Sequence, residues 1–152
     1  MRLGVLTSSG DCPGLNAVIR SVVHRAVADH GDDVIGFREG WKGLLERDCR
    51  KLDLDAVSGI LARGGTILGS SRVQPAYLRD GVDRARGHVT ELGLDAIIPI
   101  GGEGTLKAAH RSESGRMTAL RGTDIVMVPL AAAAHSIKTV PPERYAEAET
   151  VL

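Results

Sequence analysis

DAIIPIGGEGTLKAA, Asp95 to Ala109, carries a continuously apolar run (Ile97, Ile98, Pro99, Ile100) straight into three glycines that flank a glutamate. The unbroken apolarity predicts a strand covered on both faces, which is the habit of parallel sheets in α/β proteins. The glycines predict a tight turn, and Thr105 to about Ala109 a helix that leaves it. The same grammar occurs at the other end of the chain. Leu3 to Thr7 is a short apolar run, Ser8-Ser9-Gly10-Asp11-Cys12-Pro13-Gly14 is turn chemistry, and apolar residues then recur at helical spacing from Leu15 to Val27.

Between these two units the pattern continues to alternate. Val34 to Phe37 reads as a strand, Gly40 to Leu45 as a loop or helical turn, and Ala56 to Ala62 as a helix ended by Arg63-Gly64-Gly65. Thr66-Ile67-Leu68 reads as a strand and Leu78 to Leu92 as a charged amphipathic helix with Val82, Val89 and Leu92 on its apolar face. Beyond Ala109, residues 110–116 read as a polar junction, Asp124 to Leu130 as a strand, and Ala131 to Ile137 and Pro142 to Val151 as helices. Strands alternating with helices predict βαβ units. The expected fold class is α/β, Rossmann-like, a mostly parallel sheet with helices on both faces.

The 152 residues fit one domain with a single core. Charge balances, 19 Lys+Arg against 19 Asp+Glu, so neither nucleic acid nor an anionic membrane is expected as a partner. Cys12 and Cys49 have no zinc-type spacing, and no stretch approaches the roughly 20 apolar residues of a membrane span. The expected location is cytoplasmic. The five histidines show no triad or metal spacing and read as surface residues.

A buried strand, a Gly-rich turn and a helix N-terminus together make an anion site, because backbone N–H groups and the helix dipole favour phosphate and glycine permits close approach. A carboxylate there repels bare phosphate but can hold Mg²⁺, which bridges to phosphate oxygens. Glu103 therefore has two readings, a magnesium ligand or a first-turn acid that stabilises the helix by about 0.3–1 kcal/mol. Arg72 reads as a polyphosphate partner or a solvated cation. Asp11 orders a metal-bound water or caps the following helix, and Trp41 stacks on a base or packs. Neither G-x-G-x-x-G nor G-x-x-x-x-G-K-[ST] is present.

GVLTSSGDCPGLNAVIR (Gly4 to Arg20), RGGTILGSSR (Arg63 to Arg72) and PIGGEGTLKAA (Pro99 to Ala109) resemble, in order and spacing, the ATP-dependent 6-phosphofructokinases of bacterial type. That resemblance implies transfer of the terminal phosphoryl group of Mg-ATP to the 1-hydroxyl of fructose 6-phosphate, in homo-oligomers, as a step of glycolysis. By position, Gly10 resembles the loop glycine at the ATP phosphates. Arg72 with Val73 resembles the next nucleotide contact, and Gly102, Glu103, Gly104 and Thr105 resemble the third. Glu103 falls on the family's magnesium position, usually aspartate. Gly104 implies ATP over pyrophosphate, since pyrophosphate users carry an aspartate there.

The sequence also departs from that pattern. The T-I-D-N-D segment with the catalytic base and the M-G-R segment of the sugar-phosphate site are absent, so no catalytic residue is assigned. Ser9 stands where glycine is usual, and Leu54 and Gly59 fall at effector positions that are charged in enteric-type members. Residues 1–109 resemble an uninterrupted N-terminal stretch, and 117–152 resemble the family's C-terminal end joined across 110–116. The expectation is a single nucleotide-binding α/β domain over 1–152 that retains the ATP and magnesium half. The alternatives are a non-catalytic nucleotide-binding module, a truncated enzyme, or another kinase with a G-G-[DE]-G turn, which the first loop argues against.

Overall fold

The computed structural model describes residues 1–102 and Thr105, with the backbones of Asp124–Ile125 and Val128–Pro129. Strand β1 (Arg2–Ser8) lies at the centre of the sheet. It pairs in parallel with β2 (Asp33–Phe37) on one side and β4 (Ala96–Gly101) on the other. Beyond β2 lies β3 (Cys49–Lys51), antiparallel. Beyond β4 lie β5 (Asp124–Ile125) and β6 (Val128–Pro129), both parallel to β4 and in one register along it. The sheet is mostly parallel, as expected.

Side-chain alternation splits the core in two. Leu3 and Val5 of β1 with Ala96, Ile98 and Ile100 of β4 face α1 (Leu15–Val23), whose Leu15, Val18, Ile19 and Val23 are buried against them. Leu6, Ile35, Phe37 and Ile97 face the other way, onto α2 (Trp41–Glu46) and α3 (Gly81–Glu91). All six residues of β4 are buried, which explains its unbroken apolarity. Helix α1 continues as a π-helical segment, His24–Asp29. No described helix is long and apolar enough to cross a membrane.

Four expectations change. Ala56 to Ala62 is a series of turns and not a helix: the Asp53 carboxylate accepts from the Ala56 amide at 2.8 Å, and Gly59 is left-handed at φ 69°. Val57 and Ile60 are buried there at a spacing that turns and helices share. Thr66 to Leu68 is not a strand, because the Thr66 hydroxyl accepts from the Leu68 amide at 3.0 Å and closes a turn. The helix expected from Leu78 begins at Gly81, after a 3₁₀ turn over Pro75–Tyr77 and a left-handed Asp80 at φ 57°. Finally, His88 is half-buried and its Nδ1 donates to the Leu44 carbonyl at 2.7 Å, fixing α3 against α2. His30 is exposed and His24 half-buried. His110, His135, the junction 110–116 and the helices expected after Leu130 lie outside the described residues.

Candidate functional site

Parallel pairing of β1 with β4 sets Ser8 opposite Gly101, so the two Gly-rich turns leave the sheet side by side at the carboxyl ends of adjacent strands. Ligands of open α/β sheets bind at that end. In the first turn Gly10 is exposed, with open space where a side chain would be. Gly14 stands at the N-cap of α1 with φ 100°, and no side chain caps that helix. Asp11 is therefore not its cap, and of the first-turn amides that of Asn16 is taken by the Gly65 carbonyl. The Asp11 carboxylate instead lies over Gly65, where a Cβ would meet Oδ2 at 2.7 Å.

The segment from Arg63 to Arg72 is stitched to the first turn by side chains. Asn16, 2% exposed, donates to the Arg63 carbonyl at 3.0 Å and accepts from the Ile67 amide at 2.7 Å. Its backbone amide donates to the Gly65 carbonyl at 3.1 Å. A carboxamide, donor and acceptor at once, can satisfy both directions of a loop backbone. At the strand end, the Thr7 hydroxyl donates to the Gly69 carbonyl at 2.7 Å and so accepts from Thr66 at 2.8 Å. Both the Ser8 hydroxyl and the Ser9 amide donate to the Ser71 carbonyl, at 3.2 and 3.1 Å.

The third motif joins through Thr105, which is fully buried and donates to the Ser8 carbonyl at 2.8 Å. Its hydroxyl is also 2.9 Å from that of Ser9. Gly101 is held between these groups: a Cβ would lie 2.3 Å from the Ser8 carbonyl oxygen and 2.4 Å from the Thr105 hydroxyl. Gly102, by contrast, is exposed and faces open space. Glu103 and Gly104 lie outside the described residues.

Arg72 is exposed and has no hydrogen bond or ion pair among the described residues, while Val73 is exposed in part yet packs against the Leu6 and Phe37 cluster. The backbone thus anchors beside a free guanidinium. Behind the turns, the Ser71 hydroxyl donates to the Glu39 carbonyl at 2.7 Å, and Lys42 Nζ lies 2.5 Å from Glu39 Oε2. That hydrogen bond holds the Lys42 amine above the usual lysine range. Trp41 is fully buried among α2 and α3 residues, so it packs and does not stack on a ligand. Of the expected site residues, Gly10, Gly102 and Thr105 stand at the two adjoining turns, and the Arg72 and Val73 segment is bound to the first. Sequence reasoning does not single out Asn16, Ser71, Thr7 and Thr66; the one signal for them is a run of small polar residues at the end of a buried strand.

No group of three or more His, Cys, Asp or Glu side chains able to hold a metal occurs among the described residues. Magnesium at a polyphosphate needs no such cluster, since it keeps several waters and takes one or two carboxylates plus phosphate oxygens. Asp11, in the first turn, is exposed.

A central parallel sheet with glycine turns meeting at its carboxyl edge is an α/β architecture of the kind whose ligands bind at that edge. The phosphofructokinase family profile matches residues 2–135, and the chain belongs to that family. It is 78% identical over 129 residues, 85% of this chain and 36% of the relative, to ATP-dependent 6-phosphofructokinase 3 of Streptomyces coelicolor. It is 57% identical over 111 residues to the pyrophosphate–fructose 6-phosphate 1-phosphotransferase of the same organism, covering 73% of this chain and 32% of the relative. Among solved structures, phosphofructokinase from Pichia pastoris in the T-state superposes with a TM-score of 0.73 at 31% identity, over 84% of this chain and 15% of that one. A pyrophosphate-dependent phosphofructokinase from Nitrosospira multiformis superposes at 0.74 with 18% identity, over 84% of this chain and 33% of that one, a likeness of fold. The chain spans about a third of the length of the curated relatives it matches.

Proposed function

We propose that this chain is a Mg-ATP-binding unit of the phosphofructokinase fold and does not by itself transfer the phosphoryl group to fructose 6-phosphate. The observation that carries the reading is the convergence of three separate segments on one edge of the sheet, tied by Ser8, Ser9, Ser71 and Thr105. In this reading Gly10, Gly102, Gly104 and Thr105 present backbone to the phosphates, Arg72 pairs with them, Val73 supports the arginine's backbone, and Glu103 is the magnesium ligand. Gly104 favours ATP over pyrophosphate. The bound ion would supply charge neutralisation across the phosphate oxygens.

Phosphoryl transfer is largely positioning and electrostatics. The donor half is provided for by these turns, whereas T-I-D-N-D, the family's base segment, does not occur in the sequence. Loss of a general base alone costs about 10²- to 10⁴-fold. A cytoplasmic setting and assembly with further copies or with the family's remaining parts belong to the same proposal. The pairing of β5 and β6 with β4 supports a single α/β unit that includes the later part of the chain.

Calorimetry with ATP, with and without magnesium, tests the binding half. The expected result is magnesium-dependent binding that Glu103→Ala weakens only when magnesium is present. A coupled assay for fructose 1,6-bisphosphate tests the other half, and Glu103-dependent turnover would overturn the claim that the acceptor half is missing.

A further inference from the structure

The Ser9 hydroxyl is an unusual device. Ser9 is one of four non-glycine residues at positive φ among the described residues, at 76°, a conformation that disfavours L side chains. A glycine would hold this backbone without cost, but it would lack the hydroxyl. The direction of the Ser9 to Thr105 bond follows from proton count. Thr105 has one hydroxyl proton, committed to the Ser8 carbonyl at 2.8 Å, so Ser9 donates and Thr105 accepts at 2.9 Å. With its amide also donating to the Ser71 carbonyl, Ser9 ties together all three segments that make the edge.

We infer that Ser9 is a positioning residue that presets the separation of the two Gly-rich turns, so that phosphates meet them already in place. The inference rests on the proposed Mg-ATP site. Its energetic basis is preorganisation: a bridge made before binding lowers the ordering cost at binding.

The test compares the whole chain with Ser9→Gly, Ser9→Ala, Thr105→Ser and Thr105→Val by Mg-ATP titration, thermal melting and amide hydrogen exchange. Ser9→Gly should melt at the same or a higher temperature, because the left-handed backbone is relieved. It should nevertheless bind Mg-ATP about three- to tenfold more weakly, the loss expected of one hydrogen bond. Amides of residues 101–105 should exchange faster although the change lies in the other turn. Thr105→Ser, which keeps the hydroxyl, should stay near the parent in all three readouts. Ser9→Ala combined with Thr105→Val should be no worse than the poorer single variant. Unchanged exchange at 101–105 in Ser9→Gly, or unchanged affinity in a parent that binds, would overturn the inference. If the parent binds no Mg-ATP, the functional reading falls, and the exchange comparison still judges the bridge.

Discussion

Asn16 on the first turn of α1 holds the Ile67 amide at 2.7 Å, across 51 residues of sequence. The contact converts an irregular loop into part of the sheet edge. The 2% exposed carboxamide is the hub, and its loss would leave the Ile67 N–H without a partner. Asn16→Ala should cost about 1–3 kcal/mol, measured by urea denaturation, from that unsatisfied donor. Protection of residues 63–71 from hydrogen exchange should fall more than that of β1. A cost below about 0.5 kcal/mol would show that the loop holds its shape without Asn16.

Gly101 and Gly102 are neighbours with opposite surroundings. A methyl at Gly101 meets the Ser8 backbone at 2.3 Å, whereas one at Gly102 meets open space. Gly101→Ala should destabilise by about 1–3 kcal/mol through overpacking against main chain. Gly102→Ala should leave stability within about 0.5 kcal/mol while reducing Mg-ATP affinity. Thermal melts and calorimetry on the pair separate the two effects.

The Arg72 guanidinium meets no partner among the described residues, so stability should be indifferent to it. Arg72→Ala should keep the melting temperature and lower Mg-ATP affinity about 10- to 100-fold, the range for a charge-assisted contact. Arg72→Lys should recover part of that loss, because lysine restores the charge without the planar fork. Equal affinity in all three proteins would remove Arg72 from the site.

Trp41 is the sole tryptophan and is fully buried. Its fluorescence should be blue-shifted and poorly quenched by acrylamide in the native state, and its unfolding midpoint should match that from circular dichroism. Trp41→Ala should cost about 3–5 kcal/mol. Native emission as accessible as the unfolded protein's would contradict the packing of α2 on α3.

Local pattern makes some of this fold readable and hides the rest. β1, β2 and β4 are legible because burial on both faces demands apolar runs, and α1 because its buried residues recur at helical spacing. The short β3 is not legible, since Cys49, Arg50 and Lys51 show no alternation and become a strand through pairing with β2. Val57 and Ile60 suggest a helix, but left-handed Gly59 breaks it. The glycine turns are readable from composition, and their adjacency is not, because it depends on strand order. The ties made by Asn16, Ser71 and Thr105 join residues 51 to 97 positions apart and leave no periodicity to find.

Among the described residues β3 ends one side of the sheet with only three residues, Arg50 and Lys51 among them, and Lys51 is ion-paired to Asp33 at 3.1 Å. A chain that tried to add a strand there would gain few main-chain bonds and would have to strip water from neighbouring cations. That border is therefore a terminus in the architectural sense. A polymer built by continuing the sheet outward from β3 is disfavoured.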